Sequence, residues 1–214
     1  TSHGYVAAKA ADFLGGMPGR LISVHLGNGC SITAIRDGRS VDTSMGFGPL
    51  AGLVMGTRSG DIDPSVIFHM ADEPQIEIGT IRDMLNKNAG LMGLAGTNDM
   101  REVRRKINEG DKQAALAVDM YVYRIKKFIG AYASVLNGVD AIIFTAGVGE
   151  NDVDIRRLIC TGMEYLGVNI DEALNSARSG ETRAIEKAGS PVRILVVPTN
   201  EELEIAEQCY KLTL

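Results

Sequence analysis

Apolar positions along the chain follow two rhythms, one of three to four residues and one of two. Residues 5–15, YVAAKAADFLG, keep the first and predict a helix closed by Gly15-Gly16. The second rhythm follows at once. Leu21 to His25 is a short β-type run, Leu26-Gly27-Asn28-Gly29 breaks it, and Cys30 to Arg36 alternates as a strand. Asp37-Gly38 is a two-residue hairpin turn and Arg39 to Thr43 the next strand, so residues 21–43 predict a three-stranded antiparallel meander. Residues 44–63, SMGFGPLAGLVMGTRSGDID, keep neither rhythm. A long irregular loop in a folded domain is more often functional than ordinary connections.

Helical spacing returns over about 64–72, 77–87, 98–108 and 112–136. The longest stretch carries Leu116, Met120, Tyr123, Ile125, Phe128, Tyr132 and Val135, mostly at three- or four-residue steps. Asp140 to Thr145 is a continuous apolar run suited to a buried strand, followed by Ala146-Gly147-Val148-Gly149-Glu150-Asn151 and a helix to about Leu166. Val192 to Val197 predicts another buried strand, Pro198-Thr199-Asn200 punctuates it, and Glu201 onward reads as helix to the end. The order is helix, meander, helical insertion, strand–helix, strand–helix. It predicts an α/β fold: a mixed five-stranded sheet with flanking helices.

Composition narrows the function classes. Of 214 residues 45% are hydrophobic and 23% charged, a globular balance that excludes general disorder. Glycine, at 25 residues, is in excess, which suits tight turns or close approach of backbone to a ligand. Tryptophan is absent and aromatics are 5%, so aromatic cages and base-stacking platforms are not expected. The net charge of −5 argues against a nucleic-acid partner. Cys30, Cys160 and Cys209 show no zinc spacing and no disulfide framework. No apolar run of about 18 residues predicts a membrane span, and no signal peptide is visible, so the expected setting is the cytoplasm. The chain begins with Thr1 and reads like a piece of a longer protein.

Four places could carry chemistry. His25-Leu26-Gly27-Asn28-Gly29 is a plain hairpin turn or a loop whose backbone N–H groups face a phosphate. Thr145 to Asn151 runs from a buried strand through Gly147-Val148-Gly149 into a helix. Its glycines serve packing, or its N–H groups meet a nucleotide. Arg58, amid small residues, is a surface arginine or a planar fork for phosphoryl oxygens. Glu201 and Glu202 favour a helix dipole, or supply a magnesium ligand. As a set they point to ATP and phosphoryl transfer. The Walker A pattern and the protein-kinase motifs are both missing.

Thr1-Ser2-His3, HLGNGCS at 25–31, DTSMGFGPLAGLVMGTRSGDID at 42–63, FTAGVGEN at 144–151 and PTNEE at 198–202 resemble the acetate kinase family in order and spacing. That family belongs with sugar kinases, heat-shock ATPases and actin, which pair two ribonuclease-H-like domains around a nucleotide. The resemblance implies that residues 1–214 form the C-terminal nucleotide-binding domain, with a helical insertion at about 64–137 and the N-terminal domain absent. It implies that His25, Leu26, Gly27, Asn28 and Gly29 contact phosphate. Asp99, Met100 and Arg101 would contact adenosine. By residue pattern alone, the same stretch is the start of a polar helix capped by Thr97 or Asn98. Gly147, Val148, Gly149, Glu150 and Asn151 would form the second nucleotide loop, Glu201 would coordinate magnesium (or manganese in its stead), and Arg58 would stabilise the transition state.

The resemblance also implies ATP and a short-chain carboxylate as substrates, acetyl phosphate and ADP as products, and a homodimer. Propionate or butyrate kinase, and a non-catalytic nucleotide-binding and dimerisation module, are the alternatives. The family's catalytic histidine precedes the run in which this chain starts, and His3 does not inherit its role. The fragment alone is therefore expected to be inactive. Position 51 is Ala where the family usually has Glu. The three cysteines are read as structural.

Overall fold

The computed structural model describes residues 1–74 and 76–212. Helix α1 (Ser2–Leu14) leads into β1 (Arg20–Leu26), β2 (Cys30–Arg36) and β3 (Arg39–Thr43). Helices α2 (Ser65–Ala71), α3 (Ile78–Lys87), α4 (Gly90–Ala95), α5 (Met100–Asn108) and α6 (Lys112–Leu136) follow. The chain then forms β4 (Ala141–Thr145), α7 (Ala146–Asn151), α8 (Val153–Cys160) and α9 (Glu172–Ser176). The remaining elements are β5 (Arg183–Ala184), β6 (Arg193–Val196) and α10 (Glu201–Leu212). The two positions after Leu212, which the pattern assigns to the last helix, lie outside the described residues. These elements divide into two compact units: Thr1–Leu26, Ile32–Thr43 and Lys126–Leu214 in the first, Gly27–Ser31 and Ser44–Ile125 in the second.

The first unit holds the sheet, in the order β3-β2-β1-β4-β6-β5. β1, β4 and β6 are parallel, with Val24 opposite Phe144 and Phe144 opposite Val196. The connection from β1 to β2 is three residues long, and neighbours joined so tightly run antiparallel. β2 and β3 are antiparallel around Asp37 and Gly38, both at positive φ as a primed turn requires, with a register shift between Ala34 and Ile35. The sheet is mixed, as the pattern predicts, but has six strands and not five. The extra strand, β5, pairs two residues with β6, too few to leave a period in the sequence.

Burial explains the continuous apolar runs. Every residue of β4 is buried, so both sheet faces are covered. On one face Val6, Ala7 and Ala10 of α1 pack against Leu21, Ile35, Ala141, Ile143, Leu195 and Val197. Each large side chain buried there contributes about 1.5–3 kcal/mol. Gly15, at φ 75°, ends α1, and the Gly16 N–H reaches back to Ala11 O at 2.9 Å. Arg20 then pins β1 to the start of β4: its N–H and Nε–H donate to the two Asp140 carboxylate oxygens at 2.9 and 3.0 Å.

The expected helix to Leu166 is broken. α7 ends at Asn151, and Asp152 caps α8 by accepting the Ile155 N–H at 2.9 Å. A 3₁₀ turn over Glu164–Leu166 comes after α8. In the second unit the loop 44–63 has a buried spine, Leu53, Val54 and Met55. Arg124 Nη1 ties it down by donating to Gly52 O and Asp61 O at 3.0 and 3.1 Å.

Candidate functional site

Open α/β sheets bind ligands beyond the carboxyl ends of their parallel strands. In the first unit β1, β4 and β6 end at Leu26, Thr145 and Val196. His25, the segment 147–151 and Glu201 lie at or just past those ends, so the structure brings these predicted residues to one edge.

Hydrogen bonds join them. One oxygen of Glu150 accepts the Ala146 N–H at 2.8 Å and the Thr199 N–H at 3.0 Å, linking the end of β4 to the segment after β6. Ala146 sits at φ 66°, a region that L-residues with a Cβ rarely adopt. Ser2 Oγ lies 2.8 Å from His25 Nδ1 and 3.2 Å from Thr199 Oγ1. His25 Nδ1 lies 3.9 Å from Glu201 Oε1. Burial lowers the His25 pKa, while Glu201 and Glu150 oppose that shift. His3 bonds Ser23 Oγ at 2.8 Å and meets the His25 ring edge-on. Burial, with His25 beside it, drives His3 down to about 4, so it is neutral at pH 7.

Gly147, Val148, Gly149 and Glu150 are not a loop ahead of a helix; they lie within α7. Asn151 closes that helix, its Nδ2–H donating to Gly147 O at 2.9 Å. Leu26, a predicted phosphate contact, is fully buried at the end of β1. Glu201, exposed at the start of α10, is a single carboxylate. Among the described residues no cluster of three or more His, Cys, Asp or Glu could cage a metal. One carboxylate nevertheless suits magnesium, which keeps waters and binds through substrate phosphates.

The second unit holds the other predicted residues. The turn after β1 closes with Gly27 N–H donating to Gly29 O at 3.1 Å. Asn28 O accepts the Gly56 N–H at 2.9 Å, and Asn28 Oδ1 accepts Asn98 Nδ2–H at 2.9 Å. A Cβ on Gly56 would collide with the Asn28 side chain, so this approach requires glycine. Arg58 stands against the same turn, its Nη1 3.2 Å from where a Gly29 Cβ would be. It is half-buried and donates only long contacts, to Pro49 O at 3.4 Å and Met55 Sδ at 3.7 Å.

Asp99, not Thr97 or Asn98, caps α5, accepting the Arg101 N–H at 2.9 Å. Thr97 Oγ1 instead accepts the Asp99 N–H, and Asn98 is drawn to Asn28. The Arg101 guanidinium folds back on Asp99 at 2.6 Å and holds its carboxyl down to about 2. Met100 is buried behind them. Cys30 and Cys160 are buried thiols pushed up to about 11 and about 12 by desolvation, unsuited to nucleophilic work.

Sequence reasoning passed over Ser23 and gave Ser2 and Ala146, which lie in the quoted motifs, no role of their own. Their partners are set by tertiary structure, and no local spacing marks them. Asp152 does carry a legible signal, an Asp directly before a helical run.

Known proteins match throughout. The family model described as the acetokinase family matches residues 1–207. An acetate kinase of Streptomyces coelicolor is 54% identical over 99% of this chain and 53% of its own length. One from Flavobacterium johnsoniae is 52% identical, with 54% of its length covered. The chain thus spans about half the length of the curated relatives it matches. A Porphyromonas gingivalis acetate kinase structure superposes with a TM-score of 0.94 at 42% identity, covering 100% of this chain and 54% of that one. A propionate kinase from Francisella tularensis gives 0.89 at 47%, covering 96% and 52%. With a family match running almost from end to end and relatives this similar beside it, the chain belongs to the acetokinase family.

Proposed function

We propose that this chain is the C-terminal nucleotide-binding domain of an acetate kinase, which moves the γ-phosphoryl group of ATP to acetate, reversibly. The observation that carries the reading is the 54% identity to an acetate kinase across 99% of the chain. The geometry supports it: β1, β4 and β6 present His25, Glu150 and Glu201 at the edge where α/β sheets hold ligands.

In this reading the Gly27–Gly29 turn and residues 147–151 hold phosphates and ribose, and Asp99–Arg101 meets adenosine. Glu201 holds magnesium, or manganese. The bound ion offsets phosphate charge. Arg58, which has no carboxylate partner among the described residues, offers its fork to charge developing on the transferred group. The phosphoryl group passes directly from ATP to the carboxylate oxygen without a protein nucleophile, in keeping with buried Cys30 and Cys160 thiols that stay protonated.

We infer a homodimer as well. Leu116, Met120 and Tyr123 form an exposed apolar stripe on α6, at steps of four and three, while Ala117, Val118 and Tyr121 are buried. Cys30, Cys160 and exposed Cys209, none of them in a disulfide among the described residues, suit a reducing cytoplasm. Among the described residues no helix is long and apolar enough to cross a membrane.

Hydroxamate formation from ATP and acetate tests the kinase reading, on the chain alone and on the chain fused to the remaining half of the S. coelicolor enzyme. Activity of the fusion, with an inactive chain alone that still binds magnesium–ADP in a calorimeter, is expected. A fusion that folds but never turns over, and a chain that gives no heat at millimolar ADP, would refute it. The F. tularensis neighbour gives propionate the second claim. Its rate in the same fusion decides between the two.

A further inference from the structure

The first unit contains a cavity of about 500 Å³, within the roughly 300–1,000 Å³ of small-molecule pockets. Its wall includes Glu150, Asn151, Arg156, Arg178, Ser179 and Arg183. The wall thus draws on three arginines and one carboxylate, and one Glu150 oxygen already serves two backbone N–H groups.

Arg156 is fully buried and caged by neutral acceptors: Gly149 O, Glu150 O, and the side-chain and main-chain oxygens of Asn175, all at 2.8–2.9 Å. Arg183 is half-buried and much less well provided. Its Nη1 makes one long bond to Ser179 O at 3.3 Å. Its Nε is buried with no hydrogen-bond partner. Desolvation lowers the pKa of both, and the Arg183 charge pushes Arg156 further down. A buried guanidinium N–H without an acceptor is unfavourable, and native structures leave few such groups unexplained. Arg178 adds a third positive charge from the exposed rim. Ser179 Oγ accepts the Glu181 N–H at 3.0 Å, so its own proton is free to donate.

We propose that this cavity is an oxyanion site built around Arg183, taking a phosphate- or carboxylate-bearing small molecule. A planar fork with spare donors matches such a group, and a neutral or cationic ligand would leave the excess positive charge uncompensated. Val153 and Ala177 are the apolar residues of the wall, too little to favour a hydrophobic ligand. The site does not depend on the kinase reading, since anion binding needs no turnover.

The test is titration of the whole chain with inorganic phosphate against sodium chloride of equal ionic strength, followed by calorimetry and by the Arg183 Nε–H signal in NMR. Phosphate should bind saturably, shift that signal and slow its exchange. Arg183→Gln should weaken phosphate by about 10- to 100-fold, the usual worth of bonds to a charged group. Arg183→Lys should fall between, and Arg82→Gln in the other unit should change nothing. Displacement of phosphate by ADP would identify the anion as part of the nucleotide. Simultaneous binding would identify a separate small anion. Both outcomes support the site. A chloride response equal to phosphate, or unchanged binding in Arg183→Gln, overturns it. Should Arg183→Gln fail to fold, the wild-type Nε–H signal decides alone, and its indifference to phosphate is fatal.

Discussion

Replacing Glu150 with alanine should loosen the carboxyl edge of the sheet without touching its core. The mutation removes the acceptor of two backbone N–H groups, on Ala146 and Thr199. Both are part-buried, so water replaces the carboxylate only in part. A buried donor left unsatisfied costs about 1–3 kcal/mol, and partial solvation brings the pair to about 2–3 kcal/mol together. Ala146 adds to the burden, because its left-handed backbone carries about 1 kcal/mol of strain that the bond to Glu150 helps to hold. In a chain of this length 1 kcal/mol moves Tm by about 2–4 °C, so Glu150→Ala should melt about 5–10 °C lower. Glu150→Gln keeps an oxygen that accepts both bonds and should recover most of the loss. Ala146→Gly, which removes the Cβ, should relieve strain and partly rescue Glu150→Ala. Circular dichroism melts and amide exchange at Thr199 measure this. A Glu150→Ala protein that melts within 1 °C of wild type, with Thr199 equally protected, would show that the carboxylate does not hold the edge.

Three further outcomes are expected. In the active fusion, Arg58→Ala should lower kcat about 100- to 1,000-fold with little change in nucleotide affinity, and Arg58→Lys should remain impaired; normal kcat in both removes Arg58 from the reaction. Gly56→Ala forces a methyl group into Asn28 and should lower stability by about 1–3 kcal/mol in urea melts, whereas Gly79→Ala, with open space around it, should not. The His3 pKa of about 4 lies below its unfolded value, so the unfolded chain takes the proton first. The stabilisation is complete above about pH 6.5 and disappears as pH falls towards 4. His3→Asn should flatten the acid limb of a Tm–pH curve, and an identical limb would show that His3 does not drive it.

The regular elements were legible where one rhythm dominates a long or fully buried stretch. α6 spans 112–136 in both pattern and structure, and β2 and β3 agree to the residue. The misses share a cause. α4 has glycine at two of six positions and exists because Leu91 and Met92 donate to Met55 O and Gly56 O, a tertiary arrangement. β5 depends on β6 alone. The split between α7 and α8 could have been read from Asp152, but the apolar spacing masked it. At the site, residue types were visible in the Gly-rich segments and in Glu201. Their connections were not: Ser2 meets His25 across 23 positions and Glu150 meets Thr199 across 49. No local rule spans such distances.

The two outer strands bear on how the protein behaves in a crowded solution. A sheet edge exposes unpaired N–H and C=O groups that invite strands from other chains. Here one edge ends in the two-residue β5, too short to template a foreign strand. The other is β3, exposed along its length, with Arg39 and Asp42 upon it and an irregular register beside it. Charge, brevity and a local kink are the devices by which natural sheets stay separate. Val41 already lies between the two charged residues. Exchanging Arg39 and Asp42 for valine would strip both charges from that border, put three valines among its five residues and remove the acceptor of the Tyr132 hydroxyl, so part of the protection against self-assembly rests on two surface side chains.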